Sequence, residues 1–218
     1  MRGYKIIMSL FITFEGGEGC GKTVQARALY RRLKWLAIPA LLTREPGGTP
    51  LGRKLSRWLK WTDALDISPL TELLLFNASR AQLVAKVIRP SLENGLVVVC
   101  DRYADSTTVY QGYGRGLDLT MVKTVNQAAT QRLNPDLTVL LDMPVEEGLA
   151  RKGLTRQDRF EQEDIEFHRR VREGYLKLAT EEPQRWLGVD ANQPRAKIRH
   201  IIWNRVEQLL AERGLKHG

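Results

Sequence analysis

FEGGEGCGKT, residues 14–23, carries four glycines in ten positions and ends on a lysine and a threonine. Glycine lets backbone pass through positive φ and lets N–H groups come close to a ligand. The spacing Gly16, four residues, Gly21, Lys22, Thr23 matches a phosphate-cradling loop between a strand and a helix. In that reading the backbone of Gly16, Gly17, Glu18, Gly19, Cys20 and Gly21 wraps nucleotide phosphates, assisted by the positive end of the next helix. Lys22 reaches the terminal phosphates, and the Thr23 hydroxyl is set to hold Mg²⁺.

The flanks agree with this. Residues 10–14, LFITF, form a β-branched and aromatic run typical of a buried strand. Over residues 22–37 the apolar positions Val24, Ala28, Leu29, Leu33 and Leu36 recur at helical spacing.

With 218 residues the chain suits one α/β domain spanning 1–218. Its formal charge of +9, from 34 basic and 25 acidic residues, suits an anionic partner: nucleic acid, a membrane surface or phosphorylated metabolites. The basic residues are scattered rather than gathered in an arm, which favours a nucleotide pocket over a nucleic-acid surface. The two cysteines, Cys20 and Cys100, are not placed as a disulfide scaffold, which points to a reducing cytoplasm. His168, His200 and His217 show no metal-ligand spacing and read as surface or helix residues. Arg2 and Lys5 before an apolar run imitate a signal peptide, but that run enters the phosphate loop without a small-residue cleavage site and is too short for a bilayer. Met8 offers an alternative start, and residues 1–8 are read as a possible N-terminal extension.

Further along, residues 40–42 offer a second strand before the turn-rich TREPGGTP, residues 43–50. Residues 51–59 read as a short helix and 69–92 as a long one disturbed near Pro90. LVVVC, residues 96–100, is the most convincing buried strand and runs into Asp101, Arg102 and Tyr103. Helices are expected at 105–113 and 120–133, a strand at 137–142 and a helix from 145 to 151. Residues 151–164, RKGLTRQDRFEQED, are so charged and so poor in core formers that an exposed, mobile segment is expected. A helix at 165–180, a strand near 186–189 and a terminal helix at 195–213 complete the pattern. Five strands alternating with helices imply a parallel sheet covered on both faces, with ligands at the strands' carboxyl ends.

A phosphate loop alone permits a switch GTPase, an ATPase, a kinase or a nucleic-acid motor. No lysine here follows Asn or Thr, so the guanine-reading Asn/Thr-Lys-x-Asp element is absent, and a helicase would need more chain. A small kinase is favoured. Taken singly, the remaining residues also fit bland roles: Asp101 a helix cap, Arg102 a surface ion pair, TREPGG a plain turn, Phe76 core with a solvated Arg80, and 151–164 a solvated charge run.

Together, FEGGEGCGKT, TREPGGT, FNASRAQ (76–82), DRYADSTTVYQG (101–112) and a segment ending DRFE (158–161) resemble the thymidylate kinases, which phosphorylate dTMP with ATP. The resemblance runs from Leu10 to the terminal helix. It implies a P-loop nucleoside monophosphate kinase fold, with a five-stranded parallel sheet, helices on both faces and a short mobile lid at 151–164. It implies that Asp101 helps hold Mg²⁺ through water, that Arg102 grips the acceptor phosphate and that Arg44 makes a second contact to dTMP. Phe76 corresponds to a platform for thymine, Arg80 to the reader of its carbonyl edge, and Thr107 to a group near N3. Gln111 falls in the same dTMP set, Tyr110 packs beneath the sugar, and Glu18 accepts from the 3′-hydroxyl. Glu15 reads as a structural acceptor for loop N–H groups. Gly19 stands where one branch of the family has a loop arginine, so charge on the transferring group is assigned to the lid, to Arg156 first and Arg159 second. The resemblance also implies ATP and dTMP as the partners, a homodimer, a cytoplasmic location, and neither nucleic acid nor membrane. Another small P-loop kinase, or a nucleotide-dependent nucleic-acid binder, remains the alternative at this stage.

Overall fold

Leu10, Ile12 and Phe14 point to one side of a strand and Phe11 to the other, and all are buried. A strand apolar on both faces must lie inside a covered sheet. In the computed structural model, which describes residues 9–61, 66–152 and 158–214, this strand, β1 (Leu10–Glu15), is the middle of five. The others are β2 (Ala40–Arg44), β3 (Val97–Asp101), β4 (Leu137–Asp142) and β5 (Trp186–Asp190). All pairs are parallel in the order β2-β3-β1-β4-β5, and Ile12 lies opposite both Val99 and Leu137. The chain therefore winds to one side of β1 and then to the other, leaving a switch point at its carboxyl end, where the phosphate loop begins.

The helices are α1 (Lys22–Trp35), α2 (Pro50–Trp61), α3 (Pro69–Leu83), α4 (Arg89–Glu93), α5 (Ala104–Thr107), α6 (Leu119–Thr130), α7 (Val145–Lys152), α8 (Ile165–Glu181) and α9 (Arg195–Glu212). On one face of the sheet, Ala26, Leu29 and Leu33 of α1 and Ile202 and Val206 of α9 pack on Leu10, Ile12 and Phe14. On the other, Leu83, Val84 and Ile88 meet Phe11, Val98 and Tyr103. Val109, Tyr110, Phe160, Phe167, Val171 and Tyr175 form a third cluster against Leu140. Both faces are covered, as the strand pattern requires.

Two expectations are corrected and one is refined. The disturbance expected near Pro90 is a π-helical segment, Val84–Ile88, between α3 and α4. A proline ring crowds the carbonyl four residues earlier, here Lys86, and a wider turn relieves that crowding. The helix expected at 105–113 is α5 followed by a π-helical segment, Thr108–Gly114. The described part of 151–164 is packed: Asp158 and Phe160 are buried, Phe160 lies 5.6 Å from Phe76 and 6.1 Å from Tyr110 by ring centroid, and Lys60 pairs with Asp158 at 2.9 Å. Arg156 and residues 1–8 lie outside the described residues.

Candidate active site

The loop between β1 and α1 leaves no room for side chains at two of its glycines. A Cβ on Gly16 would stand 2.4 Å from the Leu141 carbonyl oxygen and one on Gly19 1.9 Å from that of Gly148, and both residues have positive φ. Lys22 is buried, and its ammonium group donates to the carbonyls of Gly16 and Gly17, with the Cys20 sulfur at 3.4 Å. The lysine is thus already folded back over the loop, where phosphate oxygens can replace carbonyls as acceptors. The Thr23 hydroxyl donates to the Asp101 carboxylate at the end of β3. Two hard oxygen ligands at the mouth of a phosphate loop fit Mg²⁺, which keeps waters and phosphate oxygens in its shell. Among the described residues no group of three His, Cys, Asp or Glu could enclose a metal, which leaves the remaining ligands to phosphate and water.

Two cavities meet over this loop. The larger runs along Gly19, Lys22, Thr23, Asp101, Arg151 and Lys152, and the smaller is lined by Phe76, Arg80, Thr107, Tyr110, Gln111 and Phe160. Glu18, Glu45, Pro46, Lys60 and Arg102 line both. The phosphate loop therefore opens onto a second, partly aromatic pocket through a gate of Glu18 and Arg102.

That gate is tightly bonded. Arg102 follows β3 with φ 70°, and its Nη2 donates to Glu18 Oε1 at 2.6 Å and to the Tyr110 hydroxyl oxygen at 3.1 Å. Tyr110 in turn donates to Glu18 at 2.7 Å, and the Lys152 ammonium lies 3.3 Å from Oε2. Burial pushes the Glu18 carboxyl up, but Arg102, Lys22, Lys152 and the Tyr110 hydroxyl together hold it well below the usual carboxylate range. Glu15 does act as an acceptor, though not for the phosphate loop: it accepts from the Tyr103 N–H at 2.7 Å and from the hydroxyls of Ser106 and Tyr175 at 2.6 and 2.8 Å.

In the smaller pocket Phe76 is half-buried and forms a wall with Phe160. Arg80 is 1% exposed and spends all five N–H groups inside the protein, on Glu45, Asn77, Asn126, Thr107 and the Tyr103 carbonyl. Gln111 donates from Nε2 to Glu72 at 2.7 Å. Arg44, exposed at the end of β2, lines the larger cavity and not the smaller one. Arg159 lines neither; it is bonded to Glu72 and to the Leu59 carbonyl and lies over Phe160. Arg151 and Lys152 line the phosphate cavity instead, Arg151 through bonds to the Ala191 carbonyl and Asn192 that pull it over the loop after β5.

A family model described as thymidylate kinase matches residues 14–202. The chain belongs to the thymidylate kinase family. The thymidylate kinase of Dehalococcoides mccartyi strain CBDB1 is 56% identical over 203 residues, covering 93% of this chain and 98% of that protein. That of Thermomicrobium roseum is 50% identical over 205 residues, covering 93% and 97%. The crystal structure of thymidylate kinase from Ehrlichia chaffeensis superposes with a TM-score of 0.74 at 34% identity, over 91% of this chain and 98% of that one. The architecture is accordingly the P-loop nucleoside monophosphate kinase fold of the thymidylate kinases. Within this thymidylate kinase framework, sequence reasoning missed Ser106, Tyr175, Glu45 and Glu72 as members of the site. Tyr175 falls in step with Phe167 and Val171 along α8 and reads as core; nothing in its spacing shows where the hydroxyl goes.

Proposed function

We propose that the chain transfers the γ-phosphoryl group of ATP to dTMP, giving dTDP and ADP for dTTP synthesis. The observation that carries this is the junction of two cavities at Glu18 and Arg102: one has a phosphate loop as its floor, and the other is a partly aromatic pocket lined by Phe76, Thr107, Tyr110 and Gln111. ATP lies along the loop with its terminal phosphate against Lys22. The thymine of dTMP lies against the wall of Phe76 and Phe160, with Thr107 and Gln111 at its polar edge and Arg80 holding that edge's framework. Tyr110 lies under the sugar and Glu18, kept ionised, accepts from the 3′-hydroxyl. The acceptor phosphate then meets Arg102, with Arg44 on the far side of the gate.

The acceptor oxygen is largely ionised at neutral pH, because the second phosphate pKa is about 6, so no general base is required. Orientation and positive charge do the work. Lys22, Arg102 and the lid arginines Arg156 and Arg159 supply that charge; Arg159 must first leave Glu72. Mg²⁺, held by Thr23 and through water by Asp101, neutralises charge on the nucleotide phosphates when bound.

A homodimer is proposed on the side of α2 and α3, where Leu51, Trp58, Leu70 and Leu74 are each 45–52% exposed. Cys20 and Cys100 are both free, in keeping with a cytoplasmic location, and no helix of the described residues is long and apolar enough to cross a membrane. Neither nucleic acid nor membrane is proposed as a partner. The test is a screen of the purified chain with MgATP and the common nucleoside monophosphates, following ADP. Conversion of dTMP above all others is expected, and no turnover with dTMP overturns the reading.

A further inference from the structure

Arg102 is held at two ends. Its Nη2 belongs to the gate with Glu18 and Tyr110, at 2.6 and 3.1 Å, while Nη1 lies 3.2 Å from Ser106 Oγ, 3.3 Å from the Tyr175 hydroxyl and 3.4 Å from the Gly16 carbonyl oxygen. The Nε–H has no protein partner among the described residues. Behind the two hydroxyls sits Glu15, fully buried, whose Oε2 accepts from both. A hydroxyl has one proton. When Ser106 and Tyr175 give theirs to an ionised Glu15, the oxygen lone pairs of both are turned toward Nη1. The buried carboxylate thereby sets the direction of two hydroxyl dipoles, and those dipoles hold Nη1.

Tyr175 contributes its hydroxyl from α8, 73 positions from Arg102. It is 1% exposed and its ring meets Trp186 edge-on at 6.4 Å, so packing fixes the phenol axis. For packing alone a phenylalanine would serve equally, and burying a hydroxyl that nothing bonded would be costly. Here the hydroxyl donates to Glu15 and accepts from Arg102, with the Ser106 oxygen 2.9 Å away.

We infer that Tyr175 is a positioning residue of the acceptor-phosphate site, acting with Ser106 through Arg102 to hold the guanidinium in place for the phosphate of the nucleoside monophosphate. This rests on the proposed transfer reaction, and it adds to that reaction a bridge from α8 into the substrate site. The arginine's φ of 70° fits such a role, since a backbone held in a sparsely populated region needs its side chain over-determined by its surroundings.

The experiment compares Tyr175→Phe with the parent chain at pH 8, where Glu15, pushed up to about 7 by burial, is ionised. Two binding constants are measured, for dTMP and for thymidine, which has the same base and sugar but no phosphate, together with the Michaelis constants for dTMP and ATP. Loss of one hydrogen bond to a charged group predicts that dTMP binds about tenfold more weakly, with thymidine binding and the ATP Michaelis constant unchanged. In an Arg102→Ala background the same substitution should have no further effect on dTMP binding. Equal weakening of dTMP and thymidine, or unchanged dTMP binding, overturns the inference. If Tyr175→Phe does not fold, Ser106→Ala, which removes the other bridging hydroxyl, decides by the same ratio. A parent chain that turns over no dTMP defeats the functional reading instead, so the two failures are separable.

Discussion

Arg102 Nη2 lies 2.6 Å from Glu18 Oε1, joining the cation at the end of β3 to the one carboxylate inside the phosphate loop. Glu18 is thus held ionised at a point where a carboxylate alone would repel phosphate, and it remains free to accept from a sugar hydroxyl. Glu18→Gln should weaken dTMP binding about tenfold, the cost of a lost bond to a charged acceptor, while barely changing the binding of its 3′-deoxy analogue. Titration calorimetry with the two ligands checks this. An equal loss for both would assign Glu18 to Arg102 alone.

Lys22→Ala should lower turnover at least about a hundredfold, since each tenfold is about 1.4 kcal/mol of barrier. The lysine's partners in the chain are carbonyls of its own loop, so the melting temperature should move little. Near-normal turnover in a folded variant would exclude the phosphate role.

Arg80 and Glu45 form a buried pair at 2.7 Å in which neither side chain is more than 5% exposed. Burial pushes the Glu45 carboxyl up despite its arginine. Arg80→Met should destabilise the fold by about 3 to 5 kcal/mol, because it strands a buried carboxylate, and adding Glu45→Gln should restore part of that. Urea unfolding of the single and double variants gives the comparison; additive losses would contradict it.

The Glu15 carboxyl is raised to about 7, by burial first and then by Asp105, against the pull of Ser106, Arg102 and Tyr175. A carboxyl raised in the folded state binds its proton more tightly there than in the unfolded chain. Below about pH 4.5 both states hold the proton and nothing is lost; stability then falls as pH rises to about 7, by on the order of 3 kcal/mol, and levels off above. Glu15→Gln should flatten that fall. Urea midpoints at pH 5 and 7.5 measure it, and equal slopes in the two proteins would rule Glu15 out as its source.

The central strands, their order of appearance and the phosphate loop were legible because each is a local pattern: apolar runs, turn residues, glycine spacing. What was not legible is non-local. Residues 158–164 read as solvated because their charges dominate, yet Asp158 finds Lys60 and Arg159 finds Glu72, 98 and 87 positions away. With those charges neutralised, Phe160 can enter the core beside Tyr110. The π-helical segments escaped for a different reason, since a 3.6-residue period cannot register one extra residue in a turn. Tyr175 escaped because a helical stripe reports burial of a ring and says nothing of its hydroxyl.

Gln111 is placed to govern acceptor choice. Its Nε2 donates to Glu72, which fixes the amide's orientation, and its Oε1 has no partner among the described residues while the side chain lines the smaller pocket. An acceptor there suits the N3–H of thymine or uracil and opposes the bare N3 of cytosine. Phe76 and Phe160 accept any pyrimidine ring and gain only about 1 to 3 kcal/mol from the thymine methyl, whereas a hydrogen-bond mismatch in a buried site discriminates far more strongly. Tyr110 is pinned to Glu18 and Arg102, and beneath the sugar it is expected to crowd a ribose 2′-hydroxyl. Values of kcat/KM should therefore fall in the order dTMP, dUMP, dCMP, with the ribose counterpart of dTMP also rejected. Gln111→Leu should narrow the gap between dUMP and dCMP by about tenfold or more, because it removes the acceptor that cytosine cannot satisfy. Equal use of dCMP and dTMP by the parent chain would defeat the thymidylate assignment and leave only a kinase of some other monophosphate.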